Sequence, residues 1–277
     1  MKLRLFTLML LLLSSCITST AVAVSSGPVE RDHIVVNLVS EVGSAQPGQS
    51  FRVGLWMQHA PNWHTYWQNP GDSGLQTRFN WRLPDGLTAG PIQWPYPERI
   101  PIEPLVNYGY SNEILLPVEL QIPDDWPTGE DIPITLTADW LICEVECIPG
   151  KAELNLTVPT RTSASLPSEF AGYFERADAR MPEAVDWPAR FSTDGDQLGV
   201  QIELDARLEP DHLQFFPAEA SLVEHAAEPF FGQADGLLQI AQPLSPFFRG
   251  APEVLEIVLV DTNHGQAYAF NATPDSL

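Results

Sequence analysis

The sequence is poor in basic residues. It has 14 Lys and Arg against 36 Asp and Glu, which gives a formal net charge of −22 over 277 residues. A field of that sign repels nucleic acid and anionic lipid surfaces, so it excludes both as binding partners. An acidic surface solvated in a salty medium is the favoured explanation of the charge, and attraction of a basic partner is the alternative.

Long hydrophobic runs are absent except at the N-terminus. There Lys2 and Arg4 precede the apolar run Leu5–Leu13, which is too short to span a bilayer and predicts an export signal. The signal ends either by cleavage after Ala23, in an A-x-A site, or by attachment of a lipid to Cys16, which follows a lipobox-like Leu-Ser-Ser. The apolar run ends directly before Cys16, which slightly favours the lipid-tethered form. Either way the mature protein is exported to a compartment that permits disulfides.

Long helices are not expected either, because 26 Pro and 18 Gly supply many turns. Short strands separated by turn residues fill the chain, and Ile134, Leu136, Ala138 and Trp140 show the alternation of a half-buried strand. Several such strands with regular turns predict an all-β protein made of β-sandwiches.

The composition changes near Thr160, where a small and polar stretch has the character of a linker and a possible short helix follows. Strand-like stretches then return. We therefore predict a signal peptide, a first sandwich, a linker with a helix and a second sandwich. These segments cover residues 1–23 (or 1–15 for a lipoprotein), 28–160, 161–180 and 181–277.

Cysteine is rare: there are three in the chain, and Cys143 and Cys147 enclose Glu-Val-Glu. Four residue steps of extended strand cover about 13 Å, whereas a disulfide needs Cα atoms about 4.4–6.8 Å apart. The chain must therefore turn between the two cysteines, and the flanking strand patterns favour a tight hairpin with Glu144–Glu146 at its tip. The tip has no Gly, so we expect some strain and a disulfide that is easier to reduce.

Three roles remain open for this pair. A structural staple gains little from so short a loop, and a core of this size does not need one. A zinc site needs further ligands, and the six scattered histidines provide no matching pair. A redox-active pair is slightly favoured over the staple. Glu144 and Glu146 should raise the thiol pKa values and make the dithiol an electron donor, unless they only solvate the tip.

Other candidate sites are weaker. The aromatic stretch Trp63–Trp67 is either a partner-docking surface or, as we favour, core packing before a turn. Met57, His59 and His64 offer soft and imidazole ligands for copper, but three such residues occur together easily by chance. Asp72 and the following Ser form no convincing triad with any histidine, because no nucleophile-elbow motif is present. We therefore predict no metal site.

Four stretches of the sequence are similar to a known family. They are WLICEVECIPGKAELNLTVP, NWHTYWQNPGDSGLQTRFNW, NYGYSNEILLPVEL and HLQFFPAEASLVEHAAEPF. The first resembles the cysteine hairpin of the N-terminal domain of the DsbD family of thiol:disulfide interchange proteins. The others resemble the ScsB-like branch, which is linked by name to copper sensitivity. The resemblance extends from about Val35 to Pro274.

This resemblance implies a tandem of immunoglobulin-like sandwiches in the periplasm, without a cofactor. It implies a protein-disulfide reductase type of activity, in which electrons come from a membrane-embedded partner and pass to a thioredoxin-fold protein such as a disulfide isomerase. By match to the motif, Cys147 is the attacking thiol and Cys143 its resolving partner, and exchange passes through a mixed disulfide on Cys147.

Two departures from the family pattern affect these expectations. Longer members continue into a membrane domain and a thioredoxin-like domain, so we expect a separate transmembrane electron-relay protein to serve this chain. Members also shield the pair with an aromatic cap loop, and the matching region Val106–Tyr110 offers Tyr108 or Tyr110. The alternative function is a non-catalytic exported binding module with a structural disulfide, and a copper-related role is one form of this alternative.

Overall fold

The computed structural model describes residues 24–204, 208–234 and 236–275. The predicted signal peptide and Cys16 lie outside these residues. Within them the chain consists almost entirely of strands and turns, so the predicted all-β class is confirmed. None of the helices in the described ranges is long and apolar enough to cross a membrane.

The first eleven strands follow the alternation of apolar and polar residues in the sequence. In the two longest strands every second side chain is buried along most of their length, because these strands expose only one face to the core. The strands are β1 (Val29–Arg31), β2 (Ile34–Ser40), β3 (Ser50–His59), β4 (His64–Gly71), β5 (Arg78–Arg82), β6 (Thr88–Ile92), β7 (Glu98–Ile102), β8 (Leu105–Ser111), β9 (Glu113–Gln121), β10 (Ile132–Cys143) and β11 (Cys147–Val158).

These strands form two sheets that enclose one hydrophobic core. One sheet has the order β1-β2-β3-β9-β6, and the other has the order β11-β10-β4-β8-β7 with β5 also paired to β10. Val36 and Leu55 from the first sheet pack in the same core as Leu136 and Trp140 from the second. This part of the chain is therefore a two-layer β-sandwich.

The rest of the chain adds a short helix and a third sheet. A short helix, α1 (Ala171–Asp178), lies within the segment predicted as linker and helix. The third sheet has the order β15-β18-β19-β13-β14-β17-β16, with β12 beside β19. The division into tandem immunoglobulin-like domains stays a prediction. The elements are β12 (Glu183–Ala184), β13 (Ala189–Ser192), β14 (Gln197–Glu203), a 3₁₀ helix (Pro210–His212), β15 (Leu213–Pro217), β16 (Phe230–Ala234), β17 (Leu237–Pro243), β18 (Leu255–Asp261) and β19 (Gln266–Pro274).

The third sheet packs against the sandwich through aromatic side chains. Phe216 of β15 lies in the hydrophobic core of the sandwich, with its ring edge-on to Tyr108 at 4.9 Å and to Trp67 at 6.2 Å between ring centroids. Apolar residues of β18 and β19 join the same core. The two parts of the chain therefore share buried apolar surface, which stabilises their contact.

One irregularity of the second sheet positions the candidate site. β4 pairs with β10 at a single position, where His64 lies opposite Cys143. Further along, the partner of β10 is β5, and that pairing begins with Arg78 opposite Asp139. The segment 72–77 connects β4 to β5 and leaves the sheet. It therefore lies next to the end of β10 that carries the first cysteine.

Candidate functional site at the tip of a hairpin

β10 and β11 form the predicted hairpin. Their residues pair one to one from Ile132 opposite Val158 to Cys143 opposite Cys147, and three residues form the tip. The Glu144 N–H donates to the Glu146 carbonyl at 3.2 Å, which closes the turn. Cys143 and Cys147 are joined by a disulfide, with Cα atoms 4.2 Å apart.

The two sulfurs differ in their access to solvent. Cys143 is 2% exposed, whereas Cys147 is largely exposed to solvent. The difference follows from strand order: β11 is the edge strand, and β10 at this position has β11 on one side and β4 on the other. A second protein can therefore approach Cys147 but not Cys143.

Tyr66 lies against the exposed cysteine. Its hydroxyl is 3.7 Å from Sγ of Cys147, and because a disulfide sulfur carries no hydrogen, the hydroxyl is the donor of this contact. Burial raises the pKa of Tyr66 to about 12, although the nearby Ser73 hydroxyl acts in the opposite direction. The phenol therefore keeps its proton at neutral pH and can donate to a Cys147 thiolate.

His64 lies beside the buried cysteine, on the same face of the sheet as Tyr66. The two rings meet edge to face at 5.2 Å, as expected for residues two apart on a strand. His64 is fully buried, and burial lowers its pKa below 6.5, so the imidazole is neutral at pH 7. Asn107 of β8 approaches the ring, with Nδ2 3.4 Å from Nε2.

The segment 72–77 covers this face of the sheet. Asp72 accepts a hydrogen bond from the Val106 N–H at 2.8 Å, and its other oxygen contacts His225. Ser73 donates to Oδ1 of Asn107 from its N–H and from its hydroxyl. Gly74 has a φ of +102° and packs so closely on Tyr66 that a Cβ there would lie 2.2 Å from the ring. The segment thus holds both Asn107 and Tyr66 in place.

The predicted cap tyrosines occupy the other face of β8. Tyr108 and Tyr110 are fully buried in the hydrophobic core of the sandwich, where Tyr108 packs on Phe216. The Tyr110 hydroxyl donates to the Pro95 carbonyl at 2.6 Å. A cap role for either residue stays a prediction. The tyrosine that contacts a sulfur is Tyr66, which lay unrecognised within the aromatic stretch of the sequence.

The aromatic stretch and the candidate copper ligands are now located. Trp63 and Trp67 are buried in the core of the sandwich, which agrees with the favoured packing interpretation. Met57 is buried there as well. Both ring nitrogens of His59 make hydrogen bonds, to the Asn112 carbonyl at 3.1 Å and to Oγ1 of Thr65 at 2.9 Å. Among the described residues no three His, Cys, Asp or Glu side chains cluster as a metal site.

Sequence reasoning found the cysteines but missed the residues around them. Tyr66 and Asn107 were given no role beside the cysteines, and Asp72 and Ser73 were considered only for a hydrolytic triad. The available signal was the alternation in Trp63–Trp67, which places its second and fourth residues on one face of a strand.

Comparisons with known proteins agree with this geometry. Residues 37–159 match the family model described as the N-terminal part of the thiol:disulfide interchange protein DsbD. The fold is similar to the crystal structure of the N-terminal periplasmic domain of ScsB from Proteus mirabilis, with a TM-score of 0.69 and 18% sequence identity. That match covers 92% of this chain and 100% of the other. No curated protein matches by sequence.

Proposed function

Because residues 37–159 belong to the DsbD N-terminal family, we propose that this protein is a periplasmic thiol:disulfide interchange module that works through Cys143 and Cys147. The observation that carries the proposal is the difference in access between the two sulfurs. An exposed cysteine at a sheet edge, backed by a buried one in the next strand, matches the requirements for an attacking and a resolving thiol.

The exchange proceeds in two steps. The Cys147 thiolate attacks one sulfur of the partner's disulfide, and the other partner sulfur leaves as a thiolate. Cys143 then loses its proton and attacks Sγ of Cys147, which releases the second partner sulfur and restores the Cys143–Cys147 bond. The partner gains two electrons and, after protonation, two thiols. Tyr66 supports the first step, because its hydroxyl can donate to the Cys147 thiolate.

The partners follow from the family. The oxidised partner is a thioredoxin-fold protein of the disulfide isomerase type, and the electrons return from a separate transmembrane relay protein. Val145, at the tip next to Cys147, is 94% exposed and gives an incoming protein an apolar contact. Export uses the N-terminal signal, with either cleavage after Ala23 or lipid attachment at Cys16.

Trapping of the mixed disulfide tests this proposal. A reduced Cys143→Ser variant is mixed with a thioredoxin-fold isomerase whose second active-site cysteine is serine and whose first carries thionitrobenzoate. It should accumulate a covalent complex through Cys147 with release of the thionitrobenzoate, because neither protein retains a resolving thiol. Cys147→Ser is the matched control and should accumulate none. Both variants should be made in the mature chain without Cys16.

A redox titration followed by mass spectrometry distinguishes the alternative function. An interchange pair should equilibrate with glutathione or dithiothreitol buffers within the range of periplasmic exchange proteins. A potential below about −300 mV is typical of structural bridges. That result, together with the absence of a trapped complex, would replace the proposal with a non-catalytic module.

A further inference from the structure

The protonation state of the His64 ring follows from the hydrogen bonds around Asn107. Oδ1 of Asn107 accepts from the Ser73 N–H at 3.2 Å and from the Ser73 hydroxyl at 2.9 Å. A backbone N–H can only donate, so this contact fixes the amide oxygen toward Ser73 and the amide nitrogen toward His64. Nδ2 of Asn107 must then donate to Nε2 of His64. Nε2 is an acceptor, and the neutral imidazole carries its proton on Nδ1.

Among the described residues this Nδ1–H has no acceptor in the disulfide form. Nδ1 of His64 is shielded from solvent and has no hydrogen-bond partner within residues 24–204, 208–234 and 236–275. An unsatisfied buried donor is costly, so its presence indicates an acceptor that arises in another state of the protein. His59, five residues earlier, shows the contrast, because both of its ring nitrogens have partners.

The arrangement of strands indicates which atom that acceptor is. The two nitrogens of an imidazole direct their hydrogen or lone pair to nearly opposite sides of the ring. Nε2 faces Asn107 on β8, and β4 lies between β8 and β10. Nδ1 therefore faces away from β8, and on that side His64 has Cys143 as its direct cross-strand partner. Facing residues of an antiparallel pair have Cα atoms about 4.5–5.5 Å apart and project to the same face.

From this geometry we infer that the Nδ1–H of His64 donates a hydrogen bond to the Cys143 sulfur whenever the disulfide is open, and stabilises negative charge there. The inference rests on the proposed function. It makes His64 a catalytic residue for the buried sulfur, just as Tyr66 faces the exposed one. Ser73, Asn107 and His64 form a chain in which each group orients the next.

The donor acts in both directions of exchange. When Cys143 resolves a mixed disulfide, it first gives its proton to the partner thiolate released in the first step. The Nδ1–H then stabilises the Cys143 thiolate until the new S–S bond forms with Cys147. When an incoming thiolate attacks Cys147 of the oxidised pair, the Cys143–Cys147 bond breaks and Cys143 leaves as a thiolate. The Nδ1–H stabilises that leaving group. A thiolate out of contact with water needs such a donor, because burial disfavours its charge.

Stepwise reaction with dithiobis(nitrobenzoate) tests the inference. The reduced protein releases a first coloured thiolate when Cys147 attacks the reagent, and a second when Cys143 attacks the mixed disulfide. His64→Leu should slow the second release about tenfold and move its pH midpoint upward, while the first release stays unchanged. His64→Asn is the conservative variant. Its amide nitrogen occupies the place of Nδ1, so it should restore most of the rate.

The outcomes separate this inference from the function on which it rests. If the wild-type protein gives no second release, the interchange function itself fails. If the wild-type protein gives the second release and His64→Leu gives it at the same rate, only the role of His64 is refuted. Nitrogen-15 NMR of the histidine rings provides a test without substitution: we expect the Nδ1–H form, with a shift of the Nδ1 signal on reduction. An Nε2–H form would overturn the inference.

Discussion

Asp72 and His225 form a buried contact across the chain, with Oδ1 of Asp72 3.1 Å from Nδ1 of His225 although 153 positions separate them. His225 is 2% exposed, and its Nε2 also lies 3.4 Å from Nδ2 of Asn69. Asp72 begins the segment 72–77 that covers Tyr66 and Asn107. The loop between β15 and β16, which carries His225, therefore contributes directly to the position of groups beside the cysteines.

This contact should be measurable by a double-mutant cycle. Asp72→Ala and His225→Ala should each lower the free energy of unfolding by about 2–3 kcal/mol, because each removes the hydrogen bond of a largely buried polar partner. The double variant should lose at least about 1 kcal/mol less than the sum. Arg190 and Asp275, an exposed pair with a 4.0 Å separation, provide the control cycle, for which we expect no measurable coupling. Additive effects at Asp72 and His225 would contradict the prediction.

Removal of the Tyr66 hydroxyl should weaken Cys147 as a nucleophile. In a Cys143→Ser background, Tyr66→Phe should lower the rate of Cys147 alkylation at pH 7 about three- to tenfold, because the thiolate loses a donor and its pKa rises. The pH dependence of iodoacetamide labelling measures both quantities. Tyr108→Phe removes a hydroxyl from the opposite face of the sheet and should leave them unchanged. An effect of Tyr108→Phe on labelling would instead support its predicted cap role.

Gly74 should be intolerant of any side chain. Gly74→Ala places a Cβ 2.2 Å from the Tyr66 ring at a backbone φ of +102°, so both the clash and the strain destabilise the fold. We expect a loss of about 2–4 kcal/mol in urea unfolding. Gly129→Ala has a φ of +86° with nothing near its Cβ, so it should lose only the strain component, about 1 kcal/mol. Equal losses would show that the close packing on Tyr66 has no energetic weight.

Stability should fall in mild acid because of buried neutral histidines. Burial lowers the pKa of His59 from 6.5 to about 4, and it also lowers the pKa of His64 and of His225. The unfolded chain therefore binds protons at a higher pH than the folded one. The contribution of these histidines to stability is fully present above pH 6.5 and is lost as the pH falls toward 4. His59 alone should account for about 3 kcal/mol. Urea unfolding between these limits measures the slope. His59→Leu should flatten it, while a control at exposed His212, His212→Gln, should not.

The acids at the hairpin tip should make the reduced cysteine pair a better electron donor. Glu144→Gln with Glu146→Gln should favour the Cys147 thiolate and make the reduction potential about 10 mV less negative. Both effects should shrink in 1 M salt, because the tip is exposed and salt screens it. Glu183→Gln with Glu203→Gln removes the same charge from the third sheet and is the matched control. A potential that moves equally in both double variants would exclude a local effect.

The sequence predicted the elements that local pattern determines. Alternation and turn residues indicated the strands. The spacing of Cys143 and Cys147 required a turn, and the strand patterns on both sides favoured the hairpin that joins β10 to β11. The surroundings of the sulfurs could not be predicted in this way. Asn107 reaches His64 only because β8 lies next to β4, and it is oriented by Ser73, on a segment that leaves the sheet. Such contacts depend on strand order, which composition and periodicity do not determine.

The two cysteines end a ladder that runs the whole length of two twelve-residue strands. Cleavage of the sulfur–sulfur bond removes none of the backbone hydrogen bonds, so the free thiols remain opposite each other beside the turn of the hairpin. Ring closure is then an intramolecular reaction between pre-oriented groups, whose effective molarity exceeds any concentration of external thiol. A mixed disulfide on Cys147 should consequently be short-lived, and the protein can complete each turnover without rearranging its fold.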